Sequence, residues 1–410
     1  MSNITTPVLG LVDVAIVGHI GAAAYIGAVA VGTTMFNMLY WLFSFLRMGT
    51  AGLTAQAFGA DNFQESCATL WRSLLLAASF TLAMLVLAKP ICDLSLHLLD
   101  AQTDVEPLAR LYFLTGILGA PAVLAMYALN GWFLGMQNTR IPMYIALLTN
   151  IVNIAVSATL VFIFGMKIEG VALGTITAQW VGLLAALAIL WFKFKPMRTS
   201  LRELIDRSAF SRLFKINFDI FLRTLCLVAV TVWFTRAGAS QSTEILAANA
   251  ILLQLFMLFS YFSDGYAFAG EALAGKFHGS GDRNRLRQVV RKLLRRGTEI
   301  AVIFTLIYLL GGKYIIKILT DDPIVIVTAE NYLLWAVAIP ACGILAFIYD
   351  GIYVGLTRTR QMLFSIAVAT ATYFILWLLL SPTIANHALW LAFLSYLLIR
   401  GIYLHFALKI

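Results

Sequence analysis

Charge is scarce in this chain. Only 12% of its 410 residues are Asp, Glu, Lys or Arg, about half the usual share of a soluble domain. With 61% hydrophobic residues, polar groups could not cover a water-exposed surface, so a soluble globular domain is excluded. Cysteine is rare too. Cys67, Cys92, Cys226 and Cys342 fall on separate expected helices or helix ends, which excludes a close-spaced metal motif and offers no disulfide framework. They read as small apolar packing residues. The five histidines are scattered without ligand spacing, so no metal and no organic cofactor is expected. Gly270 to Lys276 spells G-x-x-x-x-G-K, but Phe277 stands where magnesium would need Ser or Thr, and no strand precedes it. A phosphate-binding loop is therefore excluded. No nucleophile, base and metal ligand converge, so the chain is not read as an enzyme. The start shows neither a basic n-region nor a small-residue cleavage site, so no cleavable signal peptide is expected.

What the chain has is long apolar runs. Segments 73–88, 170–192, 299–310 and 388–399 are each near the length that crosses ~30 Å of hydrocarbon as a helix. Backbone groups in lipid must be satisfied internally, so these are helices rather than isolated strands. The expectation is an all-α polytopic membrane protein with about twelve transmembrane helices. The first half places them near 3–18, 24–57, 68–99, 106–136, 139–165 and 168–193; the second near 213–236, 245–277, 288–319, 326–356, 359–381 and 386–408. The one long polar segment, 194–212, contains Pro196. It is read as a cytoplasmic, amphipathic linker between six-helix bundles 1–193 and 213–410.

Those bundles repeat. Residues 129–140 (LNGWFLGMQNTR) and 349–360 (YDGIYVGLTRTR) pair Gly131 with Gly351, Gly135 with Gly355 and Arg140 with Arg360, an offset of 351 − 131 = 220. The same offset pairs Ala28 with Ala248, Phe36 with Phe256, Gly59 with Gly279 and Tyr112 with Tyr332. Two alike halves with an even number of spans have the same orientation. They are related by a pseudo-two-fold axis along the membrane normal, with a transport path between them. Gly131-x-x-x-Gly135 and Gly351-x-x-x-Gly355 predict close helix contact. Met1 falls at the repeat position of Phe221, inside the second half's first helix. The first half is thus expected to lack a turn or more of its opening helix.

A formal charge of +9 raises the question of nucleic acid. The basic residues answer it, because they crowd connections 193–215 and 276–296, with Arg140, Arg358 and Arg360 in two more. These are alternate loops, so the charge follows topology. The positive-inside rule puts them and both termini in the cytoplasm.

Charged groups inside apolar helices are expensive and mark function. Asp13, in GLVDVAIVGH, has only apolar or small neighbours for several residues on either side. Desolvation favours its neutral form, which suits a proton-coupling site. Pro7, one to two turns earlier, can bend the same helix. Asp264 and Glu271 are seven residues apart on one helix face and suggest a cavity for a cation. Asp350 occupies the repeat position of Asn130, and Arg47 is the natural counter-ion for one of these acids. Asp219 and Arg223, spaced i, i+4, are expected to pair with each other. Asn150, Asn153 and Gln56 either line a cavity or join helices.

Four segments together resemble the multidrug and toxic compound extrusion (MATE) family, in its DinF-like branch: SNITTPVLGLVDVAIVGHIG, FLRMGTAGLTAQAFGA, DGYAFAGEALAG and YDGIYVGLTRTR. The resemblance runs essentially from residue 1 to 410. It implies two six-helix bundles around a cavity open to one side at a time. It also implies export of small organic cations or amphipathic compounds, driven by inward protons or, as a weaker expectation, sodium. By position, Asp13 falls on the family's first-helix acid, tied to proton coupling and drug release. The chain departs from the family pattern in lacking an ALP-like stretch before Ser2. It also carries Ser157, in NIVNIAVSATL, where many relatives place a second acid. The reading that results is a proton-coupled antiporter of the inner or plasma membrane, acting as a monomer on such compounds, with the bilayer as its surroundings and no nucleic-acid partner. The alternatives are a lipid-linked oligosaccharide flippase of the same superfamily and a sodium-coupled antiporter.

Overall fold

The computed structural model describes residues 23–99, 103–195, 201–204 and 206–408. Asp13, Pro7 and the helix expected at 3–18 lie outside them. The described residues are helical throughout, with no strand. In chain order the helices are α1 (Ala23–Leu42), α2 (Phe45–Gly59), α3 (Phe63–Val86), α4 (Ala88–Leu98), α5 (Glu106–Gly116), α6 (Ala120–Gly135), α7 (Arg140–Ala158) and α8 (Ile168–Ile189). After the linker helix α9 (Leu201–Leu204) come α10 (Arg207–Ala239), α11 (Thr243–Gly279), α12 (Arg283–Leu319), α13 (Pro323–Gly355) and α14 (Thr359–Ala407). Ten helical segments among the described residues are long and apolar enough to cross a membrane. The last of them, α14, has 49 residues and a non-helical residue, Ala385, inside it. At 1.5 Å per residue its length, ~74 Å, is that of two crossings rather than one.

The outward faces confirm the solvent. Phe192, Leu310, Ile318 and Phe406 are each at least 76% exposed. Large apolar side chains exposed to this degree are stable only against lipid. The fold is that of an all-α membrane protein.

The sequence repeat is a backbone repeat. Asp61 and Gly281 both take positive φ (52° and 72°), as do Gln137 and Thr357 (61° and 52°) and Gly165 and Ala385 (66° and 43°). Each pair is 220 apart. Asn62 Oδ1 caps its helix by accepting from Glu65 N–H at 2.9 Å, and Asp282 Oδ1 does the same from Arg285 N–H at 2.9 Å. Each cap satisfies one of the orphan donors of a helix N-terminus.

The paired glycines explain why the register is kept. A methyl on Gly131 would strike the Arg47 carbonyl, and one on Gly351 would strike that of Ala267, with 267 − 47 = 220. One turn on, a methyl at Gly135 would sit 2.8 Å from Ala51 O, and one at Gly355 would sit 2.5 Å from Glu271 O. In both halves only hydrogen fits between the two backbones.

The described chain forms two compact units. The first holds the residues through Phe58 and Asn62–Phe214; the second holds Gly59–Asp61 and the residues from Lys215 onward. In the first, Leu70, Leu129, Trp132, Phe133, Ile145 and Ala186 pack one core, and Trp132 Nε1 donates to Ser66 O at 3.0 Å. In the second, Phe234 meets Trp390 and Phe393 edge-on at 5.0 and 5.3 Å. Phe259 meets Phe304 at 5.6 Å. These offsets let ring edges face the negative faces of their neighbours.

Candidate functional site

The most concentrated charge inside the second unit gathers three helices. Asp350, one turn from the end of α13, accepts through Oδ2 from Arg223 Nη2 of α10 and from Arg400 Nη2 of α14, the latter at 2.5 Å. The three are 8%, 9% and 5% exposed. A carboxylate that deep in lipid-facing protein needs counter-charge, and here two guanidiniums supply it. Arg400 Nη1 also reaches Tyr396 OH at 3.5 Å. Arg223 thus leaves its i−4 neighbour, contrary to the helix-spacing expectation. Asp219 Oδ2 instead accepts from Thr359 Oγ1 at 2.8 Å. The reason is burial: the exchange gives Asp350 a partner that the pair within one helix would have denied it. Asp350 is placed as a tie between helices rather than on an open wall.

Of the other second-half candidates, Asp264 is half-buried and Glu271 is 1% exposed, both on α11. The Glu271 backbone is the surface that Gly355 packs against. Toward the other end of α11, Asn249 and Asn386 exchange amide hydrogen bonds of 2.8 and 3.0 Å, and Trp390 Nε1 donates to Asn249 Oδ1 at 2.9 Å. This network sits beside the break at Ala385 and fixes the segment that follows it.

In the first unit the polar candidates separate. Asn153, 1% exposed on α7, donates to Thr175 Oγ1 of α8 at 3.0 Å. Its Oδ1 and the Ser157 Oγ one turn on are buried and find no hydrogen-bond partner among the described residues. Both residues lie where α7 packs closely on α8, since a methyl on Gly174 would strike the Ser157 hydroxyl. Asn150 and Arg47 are half-buried, on α7 and α2. Gln56 lies elsewhere, accepting from Arg212 Nη2 at 2.9 Å at the linker.

Sequence reasoning passed over Arg72. It is 4% exposed on α3, bonds Glu65 Oε1 at 2.7 Å through Nη1, and donates to the Glu203 carbonyl of α9 through Nη2 at 2.7 Å. Gln64 Nε2 adds a bond to Glu203 Oε1 at 2.5 Å. The linker is thereby clasped to the first unit over a pocket of about 220 Å³ lined by Glu65, Arg72, Asp206 and Arg212. Ser208 hydrogen-bonds Asp206 through its backbone N–H and its hydroxyl, which holds that carboxyl below the usual range. The contribution is present at neutral pH and is lost as pH falls through that lowered range. The signal for Arg72 was a lone arginine in LWRSLLLAAS.

The MatE family profile matches residues 1–159 and 216–379. DNA damage-inducible protein F of Escherichia coli K12 is 40% identical over 403 residues, covering 98% of this chain and 88% of that protein. A probable multidrug resistance protein NorM of Thermotoga maritima is 24% identical over 336 residues, covering 79% and 70%. A MOP superfamily transporter from Pyrococcus furiosus and an outward-facing multidrug resistance MATE family transporter share the fold, each with a TM-score of 0.83 at 16% identity over 98% of this chain and 90% of theirs. The tight glycine contacts at the 220-residue offset and the profile match on both halves lead to one assignment: this chain belongs to the MATE family of multidrug efflux transporters, multi-pass membrane proteins that carry solutes and are not enzymes.

Proposed function

We propose that the protein exports organic cations or amphipathic compounds in exchange for protons, as a monomer in the inner or plasma membrane with both termini in the cytoplasm. The observation that carries the reading is Asp13, a carboxyl flanked by apolar and small residues in a stretch that the family match includes. Protons entering from outside load Asp13. Its neutralisation removes a charge from the first helix, which bends or repacks near Pro7 and releases the bound compound outward. Asn153 and Ser157 supply polar lining in the first bundle, with Asn150 beside them. Asp264 and Glu271 supply negative charge for a cationic compound in the second. The engagement of Asp350 by two guanidiniums supports concentrating the coupling on Asp13. It also weighs against the lipid-linked oligosaccharide alternative. A pyrophosphate would need cations open to a cavity, and Arg223 and Arg400 are buried against Asp350.

The test is export in cells and in proteoliposomes. Asp13→Asn is expected to reach the membrane, to lose drug resistance, and to lose drug-dependent proton flux. Normal export by Asp13→Asn would sink the mechanism. Export driven by a sodium gradient but not by a proton gradient would replace the coupling ion.

A further inference from the structure

We propose that the first turns of α12 form a binding stripe for the phosphates of anionic phospholipids at the membrane surface. The helix has 37 residues, ~55 Å at 1.5 Å per residue, while the hydrocarbon takes up only ~30 Å. The apolar stretch from 300 to 319 supplies that span, so residues 283–299 emerge through the headgroup layer.

The emerging part is two-faced. Leu286, Val290, Leu293 and Gly297 are buried against the unit. Arg283, Arg287, Arg291 and Arg295 follow one another at i+4 along an exposed stripe, and Arg285, Lys292 and Arg296 line the other flank. Asp282 and Glu299 are the acids of this stretch, bonded to Arg285 at 3.3 Å and to Arg295 and Arg296 at 3.2 and 2.7 Å. Seven basic against two acidic residues leave 7 − 2 = +5 over 282–299. Arg285, Arg295 and Arg296 are 69%, 81% and 69% exposed. Arg291, Lys292, Arg295 and Arg296 stand within three turns of the hydrocarbon edge, and their long stems let the charged heads settle at phosphate level.

The repeat shows that the fold does not require this charge. The mates of those four residues, 220 earlier on α3, are Trp71, Arg72, Leu75 and Leu76, and the mate of Arg285 is Glu65. In the first unit that helix face is met by the linker, through Arg72 and Glu203. In the second, positions 285 and 292 are exposed, so a ligand from outside the chain can take the place the linker has in the first. A row of cations beside a lipid surface fits lipid phosphate by charge and by height. Setting topology during insertion would explain the sign of the charge but not its binding behaviour in finished protein, and that difference is what the experiment reads.

The full chain, purified in neutral detergent, is melted with added dioleoylphosphatidylglycerol or dioleoylphosphatidylcholine, and retained lipids are counted by native mass spectrometry. The wild type is expected to melt several degrees higher with phosphatidylglycerol and to retain it. Phosphatidylcholine should do neither, and salt should shrink the shift. R291Q/K292Q/R295Q/R296Q should lose the phosphatidylglycerol-specific shift while melting like the wild type in phosphatidylcholine. If that variant does not fold, R291Q/R295Q should lose a measurable part of the shift. Equal shifts with both lipids, a phosphatidylglycerol shift kept by the variants, or the same shift from millimolar inorganic phosphate would each overturn the proposal. Transport is not read, so failure here leaves the Asp13 mechanism standing, and the reverse holds.

Discussion

Positions 130 and 350 are repeat mates with different fates. Asp350 is buried between Arg223 and Arg400. Asn130 is half-buried, and its Oδ1 finds no hydrogen-bond partner among the described residues. The mates of the two arginines are Asn3 and Trp180. Trp180 Nε1 donates to the Leu118 carbonyl at 3.2 Å, in the short 3-10 turn Ile117–Gly119. The two units thus keep the same turns, caps and glycine contacts while the polar partners at positions 130 and 350 differ. Backbone fit tolerates few residues; polar chemistry tolerates many, and the halves have used that freedom to specialise.

Three measurements would break or sharpen that contrast, each by thermal unfolding of purified protein. Asp350→Ala removes the counter-charge of two buried guanidiniums and is expected to destabilise by about 3–5 kcal/mol. Asn130→Ala removes an acceptor with no hydrogen-bond partner among the described residues and should stay within about 1 kcal/mol. Equal losses at both positions would mean that the polar interiors are not specialised. Next, Gly131→Ala and Gly351→Ala each drive a methyl into a backbone carbonyl, so each should cost about 1–3 kcal/mol. Here the two units must agree, and a tolerated alanine at only one site would refute the shared contact. Last, Asn62→Ala and Asp282→Ala each delete one side-chain cap and should cost about 1 kcal/mol apiece. Asp282 should exceed Asn62 slightly at low salt, because its carboxylate also favours the helix N-terminus and meets Arg285.

The helices were readable because lipid demands unbroken apolar runs, but hydropathy is blind to helix that is not in lipid. The span expected from 288 begins at Arg283, and the one expected from 213 begins at Arg207. Both extensions are basic turns, 207–212 and 283–287, too polar for a hydropathy reading to include. The expected 24–57 helix instead breaks at Phe43–Ser44, where hydrogen bonds shift to the tighter i→i−3 pattern, as in Phe43 N to Tyr40 O at 3.0 Å. No composition signal marks that step. The site was less legible. Spacing rules see one helix at a time, so they paired Arg223 with Asp219, whereas its partner lies 127 residues away. Arg72 binds a carbonyl of the linker, and a carbonyl has no residue type to search for.

Gly165 and Ala385 make the same departure from helical geometry for different reasons. Glycine enters positive φ freely; alanine resists it. At 165 the residue itself permits the corner. At 385 the corner is held from outside, by the amide exchange and indole bond that Asn249 makes with Asn386 and Trp390. One break is therefore written locally and the other is enforced from a distance, so loosening the single asparagine Asn249 on α11 would remove what holds Ala385 against its helical preference.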